Sequence, residues 1–144
     1  MTLEQIFSLA NTSALLGWIV LALSPLSPKW ALRIAGYLIP LLLSVLYAGL
    51  IFAFWSRAEG GFDSLANVML LFTMQEAALA GWVHFLAFDM LVGVWEVKTA
   101  RREGIPHWMV LPCLALTFMF GPIGFLLFMA IRAGRYGVSQ SKEA

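Results

Sequence analysis

Charge is scarce in this chain of 144 residues. Lys, Arg, Asp and Glu together make up 12% of it, about half the share found in a typical soluble domain. The net charge is +1, so there is no basic field to hold a nucleic acid. Cysteine is represented by Cys113 alone, which excludes an internal disulfide and any cysteine-pair metal motif. The histidines are His84 and His107, with no His-x-x-His or Glu-x-x-His spacing. No metal and no cofactor is therefore expected. There is no glycine-rich phosphate loop either: Gly121-Pro122-Ile123-Gly124 interrupts an apolar run and reads as a kink. Long repeats and low-complexity segments are also missing.

What the chain has in quantity is apolar surface. Hydrophobic residues make up 61% of it and the mean hydropathy is +0.85. A helix needs roughly 20 mostly apolar residues to cross the hydrocarbon core. Four such helices with short loops would use nearly all of the sequence. The expected fold is all-α, a polytopic membrane protein with four transmembrane helices in a small bundle. Residues 1–132 form one transmembrane domain, and 133–144 a short polar tail without regular structure. The partner expected from composition is the lipid bilayer; the sequence leaves open whether a second copy of the chain is another.

Helix one opens on a capping box, Thr2 with Gln5, and runs to about Leu23. Its apolar run is too long for a signal peptide and lacks a basic leader. Helix two runs from about Lys29, after Ser27 and Pro28, to Phe54. Trp30 and Trp55 bracket it at the two interfaces. Gly36, Pro40, Ser44 and Ala48 form a small-residue seam, and Pro40 should bend the helix. Phe62 to Phe72 reads as a short interfacial helix or an early turn of helix three; a break is favoured, because one helix from Phe62 to Lys98 would be about 55 Å long. A second capping box, Thr73 with Glu76, marks the break. Helix three runs from about Met74 to Arg101, and helix four from about His107 to Ile131. With that topology, Lys29, Arg33, Lys98, Arg101 and Arg102 lie on one side of the bilayer, and Arg57, Arg132, Arg135 and Lys142 on the other. Five against four is too small a bias to assign an orientation.

Helix three carries the polar and ionisable residues: Gln75 and Glu76 at its start, then His84, Asp89 and Glu96. Charge buried in lipid is expensive, so such residues are functional candidates. Gln75, Trp82, Asp89 and Glu96 are spaced by seven and form one stripe. His84 lies about 140° around the helix from Asp89, so the two do not make a dyad on one face. Glu76 also fits a purely structural capping role, and Glu96, close to Lys98, reads as a solvated interfacial charge. Trp82 reads as core, or as the wall of an apolar ligand site; His84 fits equally a neutral interior histidine bonded to a carbonyl. Asp89 lacks such an explanation. Burial there favours its neutral form, which suits a general acid. Cys113 and Thr117 share a face of helix four, with no base placed beside them by spacing.

Trp82-Val83-His84-Phe85-Leu86-Ala87-Phe88-Asp89, then Gly93 and Trp95, then Pro112-Cys113-Leu114 and Thr117-Phe118-Met119-Phe120-Gly121-Pro122-Ile123-Gly124, resemble the abscisic-acid-deficient-four-like family. The match covers roughly Phe62 to Arg132. The resemblance implies a small four-helix membrane protein. For the plant member it implies redox-neutral isomerisation of an epoxy-carotenoid, violaxanthin, to the allenic neoxanthin. It carries over to Trp82, His84 and Asp89, with Asp89 as acid and His84 as base. No Ser- and Arg-rich transit segment precedes helix one, so a bacterial inner membrane or a photosynthetic membrane is the expected location.

The leading expectation is an integral membrane protein acting on a carotenoid or related isoprenoid by acid–base chemistry. Asp89, His84 and Glu76 are its candidate catalytic residues. Trp82, Phe85, Phe88 and Phe120 are its candidate ligand-binding residues. A non-catalytic pigment- or lipid-binding subunit needs only the aromatic groove. A proton pathway along the Gln75–Asp89–Glu96 stripe is the third reading, weakened by the absence of an inverted repeat.

Overall fold

The computed structural model describes residues 1–140, all of whose regular structure is helical. Helix α1 (Leu3–Ala22) starts on the expected capping box: the Gln5 amide donates to Thr2 Oγ1, and the Thr2 amide to Gln5 Oε1. Helix α2 (Pro28–Arg33) has Ser27 as N-cap and Pro28 as its first residue. It runs through a π-helical turn, Ile34–Leu38, into α3 (Ile39–Phe54). The π turn is the bend expected from Pro40. Proline has no amide to give the carbonyl a turn below it, and the ladder relaxes by one residue, the Ile39 amide donating to Ile34 O. A 3-10 turn, Trp55–Arg57, ends this rod.

Helix α4 (Leu65–Leu71) is short and capped by Ser64, whose Oγ accepts from the Asn67 amide. It is a helix separate from the next one, as the favoured break before helix three implies. Helix α5 (Gln75–Arg102) follows. The capping box expected at its start does not form. The N-cap is Met74, with no side-chain bond, and the Thr73 hydroxyl instead donates to Leu70 O at the end of α4. The tight turn between α4 and α5 claims that hydroxyl and leaves Glu76 free of a capping role.

Three segments are long and apolar enough to cross a membrane: Leu3–Ala22, Pro28–Arg57 and Gln75–Arg102. The fourth long helix expected over 107–131 is two helices, α6 (His107–Phe120) and α7 (Pro122–Gln140). At its 14 residues, α6 extends about 21 Å, short of the roughly 30 Å of hydrocarbon. Gly121 separates the two with φ +50° and ψ −98°, a conformation open to glycine and closed to most other residues. The chain reverses there instead of kinking. Helix α7 continues to Gln140, so residues read as the start of a tail are helical; 141–144 lie outside the described residues.

Helix α5 is the central element, buried along most of its length by α1, α3 and α6. Small residues set these approaches, though at other places than the expected seam. A side chain on Gly17 would meet Met90, and one on Gly93 would meet Trp18. Of the seam residues, Gly36 packs against Val94, while Ser44 is exposed.

Candidate functional site

The polar residues of α5 are divided between two faces. One face lies under the α6–α7 hairpin. The Thr117 hydroxyl of α6 donates to Glu96 Oε1 at 3.0 Å, with both side chains fully buried. Seven residues earlier on α5, Asp89 faces Gly121: a Cβ there would stand 2.9 Å from Asp89 Oδ1. One oxygen of each carboxyl, Asp89 Oδ2 and Glu96 Oε2, is buried without a hydrogen-bond partner. The seven-residue stripe is therefore real over its upper half. Glu96 is not the solvated interfacial charge expected from its nearness to Lys98, because α6 covers it. The seven-residue spacing that put it on one stripe with Asp89 was the signal that it shares the covered face. Thr117 and Cys113 do share the buried face of α6, and Glu96 is the acidic group placed beside them.

The lower half of the stripe packs against α1. Trp82 Nε1 donates to Asn11 Oδ1 at 2.8 Å, and the Trp82 ring lies against Phe7 and Phe85. Trp82 keeps 43% of its surface exposed, so it is a half-covered wall residue with a satisfied indole, not core. Asn11 was not singled out from the sequence, where it sits in the short polar run Asn11-Thr12-Ser13 inside helix one.

The other face of α5 holds Glu76 and His84. Both line a cavity of about 240 Å³ enclosed by α3, α4, α5 and the loop between α3 and α4. Its wall is otherwise almost wholly apolar and includes Tyr47, Phe54, Trp55, Phe62 and Phe72. The His84 ring lies 5.5 Å from the Tyr47 ring and stacks on Phe88 at 4.6 Å. His84 is exposed on the outer surface, as are Phe88 and the mouth residues Trp55, Phe62 and Phe72. The cavity is thus reachable sideways from the surrounding medium. Glu76 and His84 are eight residues apart, about 12 Å along the helix axis, so they address different points of anything bound there.

Of the residues singled out from sequence, Glu76 and His84 come together in one cavity, with Phe88 stacked on the latter. Asp89 lies under the hairpin; Trp82 and Phe85 face the α1 side. Phe120 stands exposed beside the hairpin tip. Tyr47 joins His84 although nothing in its sequence context marked it. Among the described residues no three His, Cys, Asp or Glu side chains cluster as metal ligands would.

Helices of this length and hydropathy around one central helix define the class, a small α-helical membrane protein with an aromatic-lined cavity. The ABA DEFICIENT 4-like family model matches residues 5–128, and the chain belongs to that family. No curated protein and no solved structure matches it.

Proposed function

We propose that the chain crosses the membrane with α1, the α2–α3 rod and α5, binds the ring end of a carotenoid or related isoprenoid in the α3–α4–α5 cavity, and isomerises it by acid–base chemistry. The observation that carries this reading is that His84 and Glu76 open into the same apolar, aromatic-walled cavity. Such a cavity with few polar groups is what an amphipathic small molecule needs. The volume accommodates an end group, and the exposed His84–Phe88 edge lets an attached polyene lie along the outside of the bundle in lipid.

In the reaction that family resemblance suggests, an epoxide C–O bond breaks, its oxygen takes a proton, and a neighbouring polyene carbon loses one. No electrons are exchanged. His84 can remove or supply a proton as a ring nitrogen, and the nearby Tyr47 hydroxyl is the complementary partner. Glu76, a helical distance away near the mouth, suits binding of a second polar group on the ring. Asp89 stands outside this chemistry, beneath the hairpin.

The wide axial separation of Glu76 and His84 favours one other reading, a pigment- or lipid-binding subunit without turnover. Expression of wild type and His84→Ala in a host that makes epoxy-carotenoids separates the two. Conversion by wild type and its loss in the variant supports catalysis. Unmodified carotenoid co-purifying with both supports binding alone, and no pigment with either removes the carotenoid reading.

A further inference from the structure

The path of the last two helices can be followed contact by contact along α5. Gly121, at the α6–α7 junction, lies by Asp89, near the middle of α5. Going back along α6, Thr117 meets Glu96 and His107 Nε2 reaches the Ala22 carbonyl at the end of α1. Going forward along α7, Phe125 and Phe128 pack on Trp95. Arg132 then pairs with Glu103, and Arg135 donates to the Gly104 carbonyl at 3.2 Å. Both arms therefore return to the end of α5 from which α6 set out. The hairpin dips to mid-depth and comes back.

This changes where the charges lie. Arg132 and Arg135 join Lys29, Arg33, Lys98, Arg101 and Arg102 at one end of the bundle, where Glu103 is the acidic residue outside the helix packing. The other end carries Arg57 with Glu4, Glu59 and Asp63, and the cavity with Glu76. Among the described residues seven basic side chains stand at one end and one at the other. A net charge of +1 for the chain conceals this division. Lys29, Arg33, Arg101, Arg102 and Arg135 are exposed. Arg33 lies over the Trp30 ring and Lys98 over Tyr37, an arrangement of aromatic and cation that suits the headgroup layer.

We infer that this basic end is a docking surface for anionic phospholipid headgroups, and that it faces the cytoplasmic leaflet with α6–α7 as a re-entrant hairpin. A cluster of Lys and Arg at a helix end is the feature anionic headgroups bind, and basic residues within short loops set orientation. The cavity then opens toward the opposite leaflet. None of this depends on what the cavity holds.

Two measurements on the full chain decide it. In bilayers of equal parts phosphatidylcholine and phosphatidylglycerol, spin-labelled phosphatidylglycerol should be immobilised by the protein several-fold more than spin-labelled phosphatidylcholine. The preference should fade at about 1 M salt, where the screening length drops to about 3 Å. Arg33→Gln with Arg101→Gln and Arg102→Gln should lower it, and Arg57→Gln should not. Equal immobilisation of the two lipids overturns the docking surface. For the topology, single cysteines at the exposed positions Ser27→Cys, Glu59→Cys and Gly134→Cys are introduced in a Cys113→Ala background. They are labelled with an impermeant maleimide on oriented membrane vesicles. Gly134→Cys should label from the same, cytoplasmic, side as Ser27→Cys and opposite to Glu59→Cys. Labelling of Gly134→Cys together with Glu59→Cys overturns the hairpin.

Discussion

Asp89 on α5 and Gly121 at the α6–α7 reversal are in direct apposition: a Cβ on Gly121 would lie 2.9 Å from Asp89 Oδ1 and 3.1 Å from Oδ2. The glycine is needed for two separate reasons, its positive φ of 50° and the carboxyl pressed against it. The Gly121 amide is itself engaged, donating to Thr117 O, so the reversal is tied into the end of α6.

Gly121→Ala should destabilise the folded chain by roughly 1–3 kcal/mol from the backbone conformation alone, plus the cost of displacing Asp89. Thermal unfolding in detergent measures the sum. Adding Asp89→Ala to Gly121→Ala should recover only the steric part. Full recovery by the double variant would show that the backbone at 121 carries no strain for alanine.

Thr117→Val keeps the shape of the side chain and removes the donor to Glu96. A buried acceptor deprived of its partner costs about 1–3 kcal/mol, so the variant should melt earlier, and Thr117→Ser should melt close to wild type. Glu96→Met, which removes the acceptor, combined with Thr117→Val should not add the two single effects, because both break one interaction. Strict additivity would show that the bond contributes nothing to stability.

If the cavity is the reactive site, activity should divide along the two faces of α5. His84→Ala should lower the conversion rate of the bound isoprenoid by about 10²–10⁴-fold, the usual contribution of a positioned acid or base. Tyr47→Phe should give a smaller loss. Asp89→Asn should leave the rate within a few-fold of wild type while lowering thermal stability. A large loss in Asp89→Asn that retains wild-type melting would move the chemistry to the hairpin.

Asp63 provides a pH dependence outside the membrane. Asn67 Nδ2 donates to its two carboxylate oxygens at 2.9 and 3.1 Å. That bond, then a backbone bond at Asp63 itself, holds its pKa below the ordinary 3.8. A lowered folded value means that the carboxylate supports the fold fully above the ordinary value. That support is lost as pH falls through the lowered one. The side chain is exposed, so the effect is local to the start of α4. The Asn67 side-chain amide resonances should shift as the bond breaks on acidification, and Asp63→Asn should abolish that transition. Resonances insensitive to pH in wild type would exclude the bond.

Much of the fold is legible in the chain before any folding is considered. Apolar runs of about 20 residues place α1, the α2–α3 rod and α5, because lipid leaves a backbone little choice but helix. Thr2 and Gln5 mark the first helix start because a capping box is local chemistry. Pro40 marks a distortion for the same reason, a missing amide. The break before α5 is also readable, since one helix would overrun the bilayer.

What the sequence alone could not decide depends on long-range partners. Glu96 looks solvated from its neighbours in the chain and is buried because Thr117, 21 residues on, comes back to meet it. Thr73 and Glu76 spell a capping box, yet the hydroxyl finds Leu70 O first. His84 and Asp89 were separable by helical angle, but only packing shows that one faces a cavity with Glu76 and Tyr47 and the other faces Gly121. Hydropathy reads 107–131 as one more crossing. The reversal at Gly121 follows from a backbone angle that composition does not encode, held in place by Asp89 and Thr117. That single turn also sets the charge division, by returning Arg132 and Arg135 to the end where Glu103 and the Gly104 carbonyl receive them.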